Sequence, residues 1–374
     1  MDIQALSPEI IQETQVQSSA TTTDSIPTDL INATFSSTCI DLISAPLSSR
    51  ILSFSDEFFA PASNLLNPLP PIHRPGVFIA TGAWYDGWET RRHNTRPYDW
   101  VVIKLGVASG RVRGVEIDTA FFTGNYAEAV SVQGCFESGD NADEKVKGEE
   151  YEGWKEVLGR RVCGPSRRHG WRVEGGMEVT HVKLCMFPDG GIARFRLFGE
   201  AVPVWPQDEE EEVELSAAVM GGVAIACSDE HFGRKENLLL PGRGMDMGDG
   251  WETKRSRGKG HVDWAVVRLG ARGRVSRIVF DTRHFIGNFP QCVKVEGCDI
   301  QDSEETPGSA DKRWTELMGA EKLGPDELFE FKGERIRMAN GQKYSHVRIT
   351  MIPDGGVKSL DESTKKGEKE GPVL

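Results

Sequence analysis

The chain lacks every feature that would tie it to a membrane, a bound nucleotide or a familiar metal. It has no apolar run of about 18 residues, so no membrane-crossing helix is expected. Its first residues, MDIQALSPEIIQETQ, have no basic stretch followed by an apolar one. A secretory signal is therefore not expected, and the sequon at Asn32-Ala33-Thr34 should stay unmodified. There is no P-loop, G-x-S-x-G, H-E-x-x-H or EF-hand pattern. Positive charge is also in deficit. Lysine and arginine number 44 against 57 acids, a net charge of −13, which argues against a basic nucleic-acid-binding surface. The seven cysteines form no C-x-x-C pair, and Cys292 and Cys298 are too far apart for a zinc knuckle. Free thiols in a reducing, cytoplasmic setting are the expectation. Long stretches of helical periodicity are scarce as well, apart from a helical turn suggested around residues 56–66.

What is present is a repeat. GWETRRHN at 87–94 returns as GWETKRSR at 250–257. YDWVVIKLG (98–106) returns as VDWAVVRLG (262–270), and VSVQGC (130–135) as VKVEGC (293–298). THVKLCMFPDGG (180–191) returns as SHVRITMIPDGG (345–356). Trp88 and Trp251 are 163 positions apart, as are Asp118 and Asp281. One domain has been duplicated. The expected organisation is a disordered leader over 1–35, repeat one over 36–205, an acidic linker over 206–214, repeat two over 215–358 and a charged tail over 359–374.

Within each copy the regular segments are short, β-rich and bounded by Gly, Asp or Asn. In Val115, Glu116, Ile117 and Asp118, apolar and acidic residues alternate between faces. The fold expected is all-β, a tandem duplication of a jelly-roll β-sandwich of the galactose-binding-like kind. Repeat one closes on GGIARFRLFGE, which reads as a core strand. Repeat two closes on GGVKSLDESTKKGEKEGPVL, so its last strand is expected to be missing or replaced, leaving an open edge.

Candidate chemistry sits at the ends of these strands. Arginine grips carboxylates in a fork, and histidine exchanges protons near neutrality. Arg91, Arg92 and His93 follow GWET in copy one, whereas copy two has Lys254, Arg255 and Ser256. A solvated charged loop is the plain alternative. Trp88 and Trp251 read as core anchors. Asp118 and Asp281 end strands just ahead of Gly-Asn turns, where function and turn chemistry weigh equally. Both PDGG segments read as structural turns, and His181 and His346 as structural histidines. No metal-ligand spacing is evident, so no cofactor is expected, with a divalent metal on the available Asp, Glu and His side chains as the alternative.

The long motifs GAWYDGWETRRHN, DWVVIKLG and GVEIDTAFFTGNY in copy one strongly resemble the allantoicase family, as do FDTRHFIGNFPQ and MIPDGG in copy two. The resemblance spans roughly residues 36–358. It implies two jelly rolls in a homo-oligomer and hydrolysis of allantoate to ureidoglycolate and urea. Such a reaction needs a cation for the substrate carboxylate, an acid for the leaving urea and a base for water. Arg91 or Arg92 is assigned the carboxylate, and Glu89, His93 or Asp118 the proton transfers. Asn125 is assigned a ureido group. Glu252, Arg255, Asp281 and Asn288 hold the matching positions in copy two and complete the substrate-binding set. A non-catalytic tandem jelly roll that binds ligands or serves as a scaffold is the alternative.

Overall fold

A computed structural model describes residues 24–148, 150–208, 211–301, 305–337 and 342–365. Two jelly-roll β-sandwiches follow one another, each made of facing antiparallel sheets. In repeat one the strand Asp99–Lys104 shows why they face. Val101 and Ile103 point into the core between the sheets. Trp100 and Val102 point the other way, into a smaller cluster on the outer surface. The strand His181–Phe187 pairs with it and sends Val182, Leu184 and Met186 inward. Opposite lies the strand Ser109–Asp118, contributing Val112, Val115 and Ile117. Repeat two fuses the equivalents of Asp99–Lys104 and Ser109–Asp118 into one 19-residue strand, Asp263–Asp281, which crosses from one sheet to the other.

The leader expected over 1–35 needs correction. Residues 1–23 lie outside the described residues, but the part from Asp24 to Phe35 is structured. Ser25–Ile26 pairs with Trp171 and Gly170, and the helix Ile31–Phe35 follows. Ile31 and Phe35 are buried, and Phe35 stacks on Phe198 at 4.6 Å. Burying two such side chains stabilises by roughly 1.5–3 kcal/mol each, enough to hold a short polar segment down.

The chain end needs correction too. Repeat two does have its closing strand, Ser359–Lys365, hydrogen-bonded along Arg274–Asp281 and flanked by Glu212–Glu214 on its other side. The last part of the expected acidic linker is thus a sheet strand. A ladder is made by backbone groups, so a polar strand can take a place that apolar patterning does not announce. Residues 366–374 lie outside the described residues.

Candidate active site

The repeated tryptophans are the floor. Trp88 and Trp251 are fully buried, and each indole N–H donates to a backbone carbonyl, of Asp56 at 2.8 Å and of Asp229 at 2.9 Å. Immediately after each lies a glutamate on a two-residue strand, Trp88–Glu89 or Trp251–Glu252. Thr90 then locks onto the PDGG turn. Its N–H donates to Gly190 O at 3.0 Å, and its hydroxyl accepts from Gly190 N at 3.3 Å. The turn needs glycine there. Gly190 has φ +138°, and a Cβ would sit 2.8 Å from Tyr126 O. The same contact draws the PDGG turn against the loop that carries Asn125.

Four side chains therefore meet. Asn125 Nδ2 donates to Glu89 Oε1 at 2.6 Å. Arg92 reaches the same loop, Nη2 donating to Gly124 O at 3.3 Å, and pairs with Asp189 at 3.2 Å. Asp189, 6% exposed, also accepts from the backbone N–H of His93 at 2.8 Å. Burial pushes the carboxyl of Glu89 up from its ordinary value, against the Asn125 hydrogen bond and the Arg92 charge, which pull it down. A half-exposed guanidinium, a carboxyl whose pKa burial raises and an amide share one surface.

Repeat two rebuilds most of this. Asn288 Nδ2 donates to Glu252 Oε1 at 2.5 Å, Arg255 donates to Gly287 O at 3.3 Å, and Ser256 N donates to Asp354 Oδ2 at 2.8 Å. Glu252 is less buried than Glu89. The clearest difference is at the histidine. His93 has φ +59°, in the left-handed region that L residues seldom enter, whereas Ser256 is not among the positive-φ residues.

Three expected residues of repeat one put no side chain into the quartet: His93 reaches it through its backbone N–H alone, and Arg91 and Asp118 lie outside it. Arg91 turns away. Its guanidinium pairs with Asp56 at 2.5 Å and lies over the Phe58 ring at 4.2 Å. Its backbone N–H also donates to Asp56 at 2.7 Å, as Lys254 does to Asp229. Asp118 has no bond to the quartet among the described residues. It accepts from Ala120 N at 2.8 Å, so it caps the turn that leads to Asn125. Burial raises its pKa, Glu116 adds to that, and Arg168 and Arg194 oppose it. Asp281 caps likewise through Arg283 N at 2.9 Å and is forked by Arg243 at 2.7 and 3.0 Å. His181 and His346 are buried beside Thr180 and Ser345 hydroxyls at 2.8 and 2.9 Å, as structural histidines would be.

Sequence reasoning missed Asp189 and Asp354, reading PDGG as a turn alone. The signal was available, since an aspartate kept in both copies beside two glycines fits a carboxylate pinned at a close backbone approach. It also missed Arg194. This side chain, 2% exposed, donates to Leu69 O, Asp86 O and Asp86 Oδ2 at 2.9, 3.1 and 2.7 Å. It anchors a segment of 20 residues (67–86) where repeat two has 10 (240–249). That segment flanks the Asn125 loop, with His73 stacked on Phe121 and Tyr85 on Phe122. Among the described residues, no group of three or more His, Cys, Asp or Glu side chains is arranged to hold a metal ion.

The family model described as the allantoicase repeat matches residues 40–202 and again 213–365. The allantoicase of Neurospora crassa is 54% identical over 343 residues, 91% of this chain and 95% of that protein. The allantoicase of Saccharomyces cerevisiae is 48% identical over 327 residues, covering 86% and 92%. The crystal structure of Saccharomyces cerevisiae allantoicase superposes with a TM-score of 0.77 at 45% identity, over 90% of this chain and 95% of that one.

Proposed function

The chain belongs to the allantoicase family, and from that we infer that it hydrolyses allantoate to ureidoglycolate and urea. Allantoate carries a carboxylate and two ureido groups on one carbon. Water must replace one ureido group, so the bond from that carbon to nitrogen breaks. The nitrogen leaves well only if protonated. The lone pair of the remaining ureido nitrogen then forms an iminium-like centre, and water adds to it while losing a proton.

The quartet of repeat one, with His93 tied to it through its backbone N–H on Asp189, suits these steps, and this observation supports the assignment of roles. Arg92, steadied by Asp189, holds the substrate carboxylate. Glu89 holds the proton that goes to the leaving urea, since its burial favours the neutral acid. His93 takes the proton from water. The amide oxygen of Asn125 is left to accept from a ureido N–H while its nitrogen stays on Glu89. Asp118 acts as a positioning residue through the Ala120 turn. Arg91 supports the loop through Asp56. In repeat two, Glu252, Arg255 and Asn288 bind substrate-like groups, Asp281 positions them, and without a histidine this site binds and does not hydrolyse. An acid, a base and a cation all come from side chains, so we propose that the reaction needs no cofactor. Urea release from allantoate by the purified chain tests the activity, and a folded sample that releases none would sink it.

The working form is proposed to be a homo-oligomer. In the segment unique to repeat one, Phe78 is 73% exposed and Leu69 61%, with Ile72 and Ile79 beside them, an apolar surface that a second copy would cover. Light scattering on the parent and on Phe78→Asp should give a smaller mass for the variant. The cytoplasm is proposed as its location, supported by seven cysteines that are all free thiols. No helix among the described residues is long and apolar enough to cross a membrane.

A further inference from the structure

The outer face of the five-stranded sheet in repeat one carries an open cavity of about 260 Å³, which shares no residue with the quartet. Strand alternation builds its floor. Trp100 and Val102 point outward because Val101 and Ile103 point into the core. In register beside Val102 lies Lys183, and beside Lys183 on the next strand lies Gln133. The helix Ala142–Lys147 and Trp154 close one side through Val146. Tyr98 closes another. The ammonium of Lys183 stands 4.9 Å from the Trp100 ring centre and 5.9 Å from that of Tyr98.

Repeat two shows what this face looks like when it is electrically closed. The same register reads Val266, Arg348, Glu296. Arg348 Nε donates to Glu296 Oε2 at 2.8 Å, and its guanidinium lies 5.1 Å over Trp314. In repeat one the carboxylate has become the amide of Gln133. No carboxylate among the described residues pairs with Lys183. Among the described residues, a half-buried cation on an aromatic floor thus has no carboxylate beside it. The group that completes it is an anion with a flat apolar body. The volume lies below the roughly 300–1,000 Å³ of drug-sized ligand sites, so the body is a single ring.

We propose that this cavity binds a small planar ring carboxylate, with the ring against the Trp and Tyr faces and the carboxylate on Lys183. The site is independent of hydrolysis. The test is calorimetric titration of the full chain with orotate, with uracil as the same ring without the carboxylate and acetate as the carboxylate without the ring. Orotate should bind once per chain, at least about tenfold tighter than either control. Gln133→Glu, which copies repeat two, and Lys183→Gln should each bring orotate down to the level of uracil. Urea release without orotate should stay at the parent rate in both variants, which shows that they fold. Orotate binding no tighter than uracil, or binding that survives both substitutions, overturns the proposal.

Discussion

Asn125 Nδ2 lies 2.6 Å from Glu89 Oε1, and the pair joins a loop of one sandwich edge to the two-residue strand within GWET. The bond holds the carboxyl in place without neutralising it. An amide is a neutral partner, so burial still favours the protonated acid. A lysine in its place would force ionisation and remove the acid.

Arg92 and Arg91 should separate cleanly. With the proposed carboxylate grip removed, Arg92→Ala should raise KM by about tenfold or more, and Arg92→Lys should recover only part, since a point charge replaces a fork. Arg91→Ala should change kcat/KM by less than about threefold, because Arg91 pairs with Asp56 instead. Steady-state urea release checks both. Equal losses in the two variants would contradict the division of roles.

His93 makes a prediction about stability as well as rate. Its φ of +59° suits glycine far better than alanine. His93→Gly should be more stable than His93→Ala by about 1 kcal/mol, and both should lose roughly 10²–10⁴-fold in kcat. Urea melts beside the kinetic assay would show this. Alanine as stable as glycine would mean that the backbone at 93 is unstrained.

The pH dependence follows from Glu89. Its folded pKa is raised, so the protonated form, proposed to be the active one, is full at low pH and is lost as pH rises through that raised value. Stability follows the same sign, since the unfolded carboxyl ionises first. Its contribution is complete below the unfolded pKa and lost as pH climbs through the folded one. A falling alkaline limb of kcat should be absent in the residual activity of Glu89→Gln. The same limb in that variant would assign it to another group.

Chelation gives an independent check on the chemistry. Prolonged dialysis against EDTA should leave urea release unchanged. Loss of activity restored by a divalent cation would add a metal to the mechanism.

Much of the fold was legible because duplication printed it twice. GWET, the Asp-Trp strand starts and PDGG mark corresponding points of two sandwiches, and alternation at Val115–Asp118 gave the strand faces. The ordered segment from Asp24 to Phe35 was not legible, because two buried side chains at Ile31 and Phe35 outweigh a polar composition only once a partner such as Phe198 is in place. The closing strand Ser359–Lys365 was missed because its pairing is made by backbone groups. At the site, residue type pointed to Glu89, Arg91 or Arg92, His93, Asp118 and Asn125. Direction could not be read from type, and it is direction that turns Arg91 to Asp56 and Asp189 to His93. The 67–86 segment was visible as extra length, but the buried Arg194 that anchors it had no local pattern.

The central claim is that repeat one protonates the leaving urea through Glu89 while the matching Glu252 only helps to bind. Single-turnover urea release by Glu89→Gln and by Glu252→Gln tests it, with circular dichroism confirming that both fold. Glu89→Gln should lose roughly 10²–10⁴-fold in the chemical step and Glu252→Gln less than about tenfold. Equal losses, or a greater loss at Glu252, would contradict the account.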